Sequence, residues 1–330
     1  MKNLMLLFCV LISMYSCKKS DDEIVESNIQ FNHKILEGYN IGTIAFDHDG
    51  TAWIGTLNQG LIRYNTQETV IYNYLNSILP RSPLIIDIAI SRKNDIWFSG
   101  KYLYHFDGAN FTEYTPSNSE LPVDINPSIA IDSKDNVWLS SSIYNMGGLV
   151  KIKGNNWTIY TPDSSGIPVY GITSVAIDQD DAVWLAQYSD ADGSFLTKFN
   201  NQTWTVYSKD ELGFAPFMIR EIKINSKNEV CGSIDYVFSQ SEINPGPQCF
   251  IFDGENARQL KFDDTSNILQ IIVDHKDHIW GFGLHQVAMF DGTNWTVDST
   301  TFKNTIITSI AQSHDNKIWI GTTDGIYIND

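Results

Sequence analysis

A short pattern occurs seven times along this chain and constrains its fold more than any other feature of the sequence. In each copy a β-branched segment ends in Asp, Asn or Ser, and an aromatic residue, or Cys in the fifth copy, follows six positions later. The seven pairs are Asp47 and Trp53, Ser91 and Trp97, Asp132 and Trp138, Asp178 and Trp184, Asn225 and Cys231, Asp274 and Trp280, and Ser313 and Trp319. Successive copies start 39 to 49 residues apart, which is the length of a four-stranded propeller blade. The sequence therefore predicts an all-β fold, a seven-bladed β-propeller.

Each repeat divides into four short strands that we expect to pair antiparallel. The first strand is apolar and has Ala at its centre in five copies, which suits an inner position where seven strands converge. A polar hairpin rich in Asp, Asn and Gly leads to the second strand, which carries the aromatic residue. The fourth strand alternates apolar and polar residues, as in the stretch from Asn156 to Tyr160, and this alternation is typical of a half-exposed outer strand.

The two termini are predicted to close the ring together. The last copy runs out at Ile326 to Asp330, after its third strand. Upstream of the first copy, Asn28 to Asn32 has the outer-strand pattern and belongs to no other blade. We therefore expect this N-terminal strand to complete the seventh blade, so that residues 28–330 form one propeller without an open end.

The first residues have the character of an export signal. A nine-residue apolar run from Leu4 to Ile12 follows a positively charged start and is too short to span a bilayer as a helix. The stretch from Ile12 to Cys17 resembles a bacterial lipobox. This resemblance implies a signal peptide over residues 1–16 and a lipid attached to Cys17.

The next segment, residues 17–27, is predicted to be a lipidated tether. Its charged stretch from Lys18 to Glu23 resembles the export signal of lipoproteins that reach the outer leaflet of the outer membrane. This resemblance implies an outer membrane lipoprotein exposed on the cell surface, with the periplasmic face as the alternative. We expect the lipid to be the protein's only contact with the membrane.

The charge of the chain argues against nucleic acid as a partner. There are 39 Asp and Glu residues against 22 Lys and Arg, which gives a net charge of −17. A phosphate backbone would be repelled by such a surface. The 42% hydrophobic content is enough for a packed core, and we expect the propeller to be a monomer.

Two stretches carry a resemblance to a known family. Residues 47–56, DHDGTAWIGT, with GLIRYN at 60–65, and residues 315–327, DNKIWIGTTDGIY, resemble the two-component regulator propeller repeat. In that family the repeats commonly form the extracytoplasmic sensor of hybrid histidine kinases, often in carbohydrate sensing. The resemblance implies a sensor-like binding propeller for a glycan or a surface protein.

Long loops that carry aromatic residues are predicted to gather on one face of the ring, and binding usually resides in such loops. His285 lies in a loop of the same face, and Lys223 replaces the small residue of the inner strand in the fifth copy. The alternative is that the long loops pack on one another. The candidate ligand-binding residues are Tyr144, Tyr170, Tyr188, Phe214, Lys223, Tyr236 and His285.

The sequence predicts no metal, no cofactor and no catalytic group. The repeated hairpin Asp residues have the pattern of turn residues, and there is no CxxC or HExxH motif. A seven-bladed streptogramin lyase uses clustered His and Glu near the ring axis with a magnesium ion. In the loops of this face the only His is His285, and the Glu residues are limited to Glu120, Glu211 and Glu242. A lyase or hydrolase with its site on the same face is nevertheless kept as the alternative to a binding protein.

Cys231 and Cys249 are the cysteines left after the export segment. Alignment of the fifth copy on the fourth puts Cys231 at the position of Trp184 and Cys249 at that of Leu196, on neighbouring antiparallel strands. The pair could form a disulfide in an oxidising compartment, or remain as two buried thiols.

Overall fold

The computed structural model describes residues 25–26, 29–122, 128–143, 146–235, 248–261 and 268–329. The described part contains two N-terminal strands, seven groups of four or three further strands, and one short helix. The N-terminal strands are β1 (Val25–Glu26) and β2 (His33–Ile35).

The remaining strands follow in chain order, blade by blade. Blade 1 contains β3 (Ile41–Phe46), β4 (Ala52–Thr56), β5 (Leu61–Tyr64) and β6 (Thr69–Tyr72). Blade 2 contains β7 (Asp87–Ile90), β8 (Ile96–Ser99), β9 (Leu103–Phe106) and β10 (Phe111–Tyr114). Blade 3 contains β11 (Ile129–Ile131), β12 (Val137–Ile143), β13 (Met146–Lys153) and β14 (Asn156–Tyr160). Blade 4 contains β15 (Ile172–Ile177), β16 (Val183–Ser189), β17 (Gly193–Phe199) and β18 (Trp204–Tyr207), and helix α1 (Lys209–Leu212) follows it.

The last three blades complete the ring. Blade 5 contains β19 (Met218–Ile224), β20 (Val230–Asp235), β21 (Cys249–Phe252) and β22 (Ala257–Leu260). Blade 6 contains β23 (Gln270–Val273), β24 (Ile279–Phe282), β25 (Val287–Phe290) and β26 (Trp295–Asp298). Blade 7 contains β27 (Ile307–Gln312), β28 (Ile318–Thr322) and β29 (Gly325–Ile328).

The seven sheets form a closed ring, as the repeats predict. Each innermost strand contacts the innermost strand of the next blade, and β27 contacts β3 where the ring closes. Within each blade, consecutive strands of the repeat are antiparallel. Because antiparallel strands alternate in direction, the hairpins after strands one and three lie on one side of the ring. We call this side the lower face; the loops after strands two and four lie on the opposite side, the upper face.

A hydrogen bond explains why the motif spacing is six. In blade 1 the Trp53 Nε1–H donates to Oδ2 of Asp47 at 3.0 Å, while Oδ1 of Asp47 accepts the backbone N–H groups of Asp49 and Thr51. The same bond joins Asp132 to Trp138, Asp178 to Trp184 and Asp274 to Trp280. Each of these four Asp carboxylates is buried, closes its own hairpin and binds the indole of strand two. The interpretation of these Asp residues as turn residues agrees with this geometry.

The lower-face hairpins are also linked from blade to blade. The His48 N–H donates to the side chain of Asn94 in blade 2 at 3.1 Å, and the Ser133 N–H donates to Asp181 in blade 4 at 2.8 Å. Asn94 and Asp181 have positive φ angles, a conformation that Asn and Asp tolerate. The same link recurs from Arg92 to Asp135, from Gln179 to Asn228 and from Ser226 to Asp277.

The ring closes through an N-terminal strand, but not at the residues predicted for it. β2 pairs antiparallel with β29 as the fourth strand of blade 7 and starts at His33, immediately after the predicted Asn28 to Asn32. Phe31 is instead buried against Phe302, with ring centroids 5.3 Å apart, between blades 6 and 7. Its apolar character therefore reflects packing against a neighbouring blade and not strand pairing. Residue 28 lies outside the described residues.

The end of the predicted tether also belongs to a sheet. β1 pairs with the outer strand β26 of blade 6 in parallel, with Val25 opposite Thr296 and Glu26 opposite Val297. Blade 6 therefore has five strands. The signal peptide and Cys17 lie outside the described residues.

The cysteine pair does not form the disulfide that was one of the two expectations. Cys231 lies opposite Ile251, and Cys249 lies opposite Ser233, so the two cysteines are offset by two residues along their strands. Such diagonal neighbours are roughly 7 to 8 Å apart, which is beyond the usual Cα separation of a disulfide. Within the described part of the chain both are free, buried thiols that pack toward blade 6.

Candidate functional site

The exposed large hydrophobic side chains of the described residues all lie on the upper face. They occupy the loops after strands two and four, whereas the lower-face hairpins are polar. They are Tyr74, Leu75, Ile78, Leu84, Met146, Phe217, Leu284 and Ile306. Apolar side chains concentrated on one face of a soluble domain are typical of an interaction surface.

Half of these side chains belong to one segment, the connection between blades 1 and 2. This upper-face apolar patch consists of Tyr74, Leu75, Ile78 and Leu84, and Leu75 is the most exposed, at 77%. Arg81 extends over the ring of Tyr74, with its guanidinium carbon 5.0 Å from the ring centroid. The connection is held at its base by Asn73 and Asn76 hydrogen bonds, so it presents these side chains from an ordered turn.

A second apolar pair lies across the junction of blades 6 and 7. The Ile307 N–H donates to the carbonyl oxygen of Leu284 at 2.9 Å, which places Leu284 beside Ile306. His285, a predicted site residue, is exposed next to them, and its Nδ1 lies 2.8 Å from the carbonyl oxygen of Thr305. The imidazole therefore supports the connection to blade 7.

Tyr170, in the connection between blades 3 and 4, and Tyr188, near the end of β16, lie on the upper face as predicted. The Tyr170 hydroxyl donates to Asp163 at 2.7 Å, and the Tyr188 hydroxyl donates to Asp190 at 2.8 Å. The ring of Tyr188 also packs against Phe217 at 5.4 Å. These contacts give each tyrosine a carboxylate partner and a fixed orientation at the surface.

Phe214, another predicted site residue, contributes to the packing between two blades. It is half-buried, and its ring packs on Phe250, with centroids 5.6 Å apart, in the core between blades 4 and 5. The helix α1 and the left-handed Gly213 that ends it turn the chain inward at this point. Phe214 is therefore a packing residue. Tyr144 and Tyr236, the other two predicted aromatic residues, lie outside the described residues.

A central channel runs between the seven innermost strands, and its cavity measures about 1110 Å³. On the innermost strand of every blade, the residue two positions before the central one is polar. The central residue is Ala in five blades, Lys223 in blade 5 and Ile272 in blade 6. The polar lining residues are Thr43, Asp87, Ser128, Ser174, Glu221, Gln270 and Ser309.

Several members of this polar ring bind the next blade. Ser128 accepts the Val175 N–H and Ser174 accepts the Ile222 N–H, each at 3.2 Å. In blades 2 and 5 the equivalent residue is acidic: Asp87 accepts the Ile129 N–H and Glu221 accepts the Ile271 N–H, each at 2.8 Å. Sequence comparison of the repeats missed Asp87 and Glu221, although the column two residues before the inner Ala would have shown them.

Lys223 lies within this channel, as its place on the inner strand predicts. Its Nζ is 2.8 Å from Oε1 of Glu221. Five blades have Ala at the same position, so the channel has room for the long side chain, which is 42% exposed to the channel interior. Lys223 is thus a cation held inside the ring by the carboxylates that face it.

The electrostatics of the channel couple Lys223 to both carboxylates. Enclosure lowers the pKa of Lys223, but the charges of Glu221 and Asp87 outweigh this effect and leave the pKa above its ordinary value. Burial raises the pKa of Asp87 to about 6, although the Lys223 charge and the backbone N–H donors oppose that rise. Asp87 therefore titrates nearer to neutral pH than an ordinary carboxyl group.

In the described ranges no three His, Cys, Asp or Glu side chains are grouped as a metal site requires. The candidate site thus combines an upper face that exposes apolar side chains with a channel in which Lys223 lies near two carboxylates.

The sequence comparisons identify the type of repeat. The family model described as two component regulator propeller matches residues 301–324, which confirms the resemblance stated for the last repeat. The chain is a seven-bladed propeller that carries this repeat. No curated protein matches it. Among the described residues no helix is long and apolar enough to cross a membrane.

Solved structures show the same fold at low identity. A streptogramin B lyase is 16% identical with a TM-score of 0.67, and the match covers 92% of this chain and 97% of the lyase. The extracellular domain of BT4673 from B. thetaiotaomicron, described as a one component system, is 16% identical with a TM-score of 0.67 over 91% of this chain. This chain spans 39% of that domain. YCF48 bound to D1 peptide is 13% identical with a TM-score of 0.64, over 90% of this chain and 95% of that one.

Proposed function

We propose that this protein is a lipid-anchored, extracytoplasmic binding propeller that recognises a protein partner through its upper face. The observation that carries the proposal is the placement of all exposed large hydrophobic side chains of the described residues on that face. Neither face needs such residues for folding, because the core lies between the blades. A surface of this kind loses water only when a partner covers it.

The chemistry of the upper face favours a protein over a sugar. Most of its exposed hydrophobic side chains are aliphatic, as at Leu75, Ile78 and Leu284. Aliphatic groups bury well against another protein, whereas sugar rings need aromatic faces and many hydrogen bonds. Arg81 beside the patch adds a cation of the type that often anchors protein interfaces.

The similar structures support this class of function without specifying the ligand. The BT4673 structure is the extracellular domain of a protein described as a one component system, and the YCF48 structure contains a bound D1 peptide. An extracytoplasmic address agrees with the predicted signal peptide and the lipid on Cys17. We place the protein in the outer membrane, with its propeller exposed on the cell surface.

Two variants test the proposal directly. Leu75→Asp with Ile78→Asp introduces charges into the upper-face apolar patch, while Gln202→Asp with Thr293→Asp does the same on the lower face, where both residues are exposed. The partner is first identified by cross-linking to the wild-type protein in cells of the source organism. The affinity of that partner for each variant is then compared with its affinity for wild type.

We expect the upper-face variant to weaken partner binding at least about tenfold, since a buried contact of this type is worth more than roughly 1.4 kcal/mol. The lower-face variant should bind as wild type does, and neither should change the melting temperature. Equal binding by both variants would contradict the proposal. Reproducible turnover of a polymer or a streptogramin by the purified protein would replace it with the enzymatic alternative.

A glycan is the second candidate, and the tyrosines of blade 4 favour it. Tyr170 and Tyr188 present rings that are oriented by Asp163 and Asp190, and rings beside carboxylates suit sugar hydroxyls. Glycan-array binding that is lost in Tyr188→Ala and kept in the Leu75→Asp, Ile78→Asp variant would assign the ligand to this class.

A further inference from the structure

The direction of β1 shows where the N-terminal segment meets the propeller. β26 is the fourth strand of blade 6 and follows the lower-face hairpin at Asp291–Asn294, so it runs from the lower face to the upper face. β1 is parallel to β26, with Val25 opposite Thr296. The chain therefore reaches Val25 from the lower face, at the outer rim of blade 6.

Further contacts hold the N-terminal segment against blades 6 and 7. Phe31 is buried between blades 6 and 7, and β2 then pairs with β29. Lys34 in β2 forms an ion pair with Asp324 at 2.9 Å. The chain is therefore paired at the outer rim at Val25 and Glu26, and it packs there again at Phe31 and in β2.

From this geometry we infer that the protein rests on the bilayer with the lower rim of blade 6 toward the membrane and its upper face turned outward. The inference rests on the proposed lipid at Cys17. It assigns the two faces different environments, a lipid surface below and an external partner above.

The length of the tether supports this orientation. Residues 17–24 number eight, and eight extended residues reach at most roughly 28 Å. A lipid at Cys17 therefore keeps the lower rim of blade 6 within about that distance of the headgroups. The charged stretch from Lys18 to Glu23 suits a solvated spacer between headgroups and protein.

The opposite orientation is disfavoured by the same geometry. To turn the upper face toward the bilayer, the tether would have to climb past the four residues of β26, about 13 Å, and then past the upper-face loop that follows Asp298. Passing β26 alone would take about half of the roughly 28 Å that eight extended residues can reach. The apolar patch would also be withheld from an external partner.

Fluorescence energy transfer from protein to membrane tests the orientation. Residues 17–330 are coupled through Cys17 to vesicles that contain a maleimide lipid and a rhodamine lipid; Cys231 and Cys249 are buried and do not compete. A donor dye is attached to p-azidophenylalanine at one site per variant. The lower-face sites are Thr293 in blade 6 and Gln202 in blade 4, and their upper-face controls in the same blades are Leu284 and Ala191.

We expect transfer from Thr293 to exceed transfer from Leu284, and transfer from Gln202 to exceed transfer from Ala191. Equal transfer within the pairs, which indicates a freely turning propeller, overturns the inference, as does stronger transfer from the upper-face sites. Cys17→Ser protein mixed with the same vesicles gives the background.

A separate measurement tests whether Cys17 carries a lipid. Mass spectrometry of the protein isolated from its own membranes should show the acyl groups on Cys17. A Cys17 without lipid rejects the proposed anchor, while the vesicle measurement still decides which face the N-terminal segment directs to a membrane. Failure of the inference and failure of the proposed function are therefore distinguishable.

Discussion

At the scale of single residues, the indole-to-carboxylate hydrogen bond is the unit that the repeats share. Where a blade has Asp at the first position, the carboxylate closes the hairpin and accepts the Trp Nε1–H of strand two. Blade 7 has Ser313 in place of Asp, and within the described residues the Nε1 of Trp319 has no hydrogen-bond partner. This difference supplies two variants to compare, although Trp53 is buried and Trp319 is half-buried.

Trp53→Phe should destabilise the protein more than Trp319→Phe. Both changes shrink a ring, but Trp53→Phe also removes a donor from the buried Oδ2 of Asp47. Loss of such a bond costs about 1–3 kcal/mol. Urea unfolding of the two variants measures the difference, and equal losses of stability would show that the bond contributes nothing.

Asp87 makes the stability of the ring depend on pH. Its pKa is raised to about 6 in the folded protein from an ordinary 3.8, so the ionised form is disfavoured by folding. Protonation of Asp87 therefore stabilises the folded state as the pH falls from 6 toward 4. This stabilisation is lost as the pH rises through 6. Asp87→Ser removes the titrating group and keeps an acceptor, as Ser128 and Ser174 do at equivalent positions.

We expect wild type to gain stability relative to Asp87→Ser between pH 8 and pH 5, by on the order of 1–3 kcal/mol. Unfolding free energies of both proteins at the two pH values give this difference. A difference that is independent of pH, or that shrinks toward pH 5 at the expense of wild type, would show that Asp87 does not titrate in this way.

At the scale of the strands, register decides the state of the cysteines. The two-residue offset between Cys231 and Cys249 keeps both on the face that packs toward blade 6, but too far apart to bridge. Burial raises the pKa of Cys231 to about 12 and that of Cys249 as well, so neither forms a thiolate readily.

Thiol titration of residues 17–330 carrying Cys17→Ser should find no reactive groups in the native protein. After unfolding without a reductant we expect two, because Cys231 and Cys249 then become accessible. No reactive thiol in the unfolded, unreduced protein would establish a disulfide instead.

At the scale of the whole molecule, the N-terminal strand holds the ring closed. Removal of residues up to 24 leaves β1 and β2 in place and should not change the melting temperature. Removal up to Leu36 takes β2 from blade 7, together with Phe31 and the Lys34–Asp324 pair. It should lower the melting temperature by several degrees, since a few kcal/mol shift a domain of this size by roughly that much.

Lys34→Ala is the control for the ion pair, which is partly exposed and should contribute little. If the protein lacking residues up to Leu36 melts with wild type, β2 does not contribute to closure. If Lys34→Ala alone reproduces the loss, the ion pair and not the strand is responsible.

The sequence by itself determined the number of blades, the fold and the type of repeat. Its signal is local, because a carboxylate, a tight turn and an indole six residues later form one hydrogen-bonded unit, and each unit repeats with blade-length spacing. The need for an N-terminal strand followed from the same count of strands. Lys223 also stood out, because it interrupts a column of small residues on the inner strand.

Only the tertiary structure decided which distant residues meet. Asp87 and Lys223 lie in blades 2 and 5, and their interaction depends on the width of the channel that seven blades enclose. The sequence around Phe31 predicts a strand, because burial against a neighbouring blade and burial within a sheet leave the same apolar pattern. The exposure of Leu75 and Leu284 on one face arises from strand direction and blade packing, since an apolar residue in a loop is covered or exposed according to neighbours that local sequence does not specify.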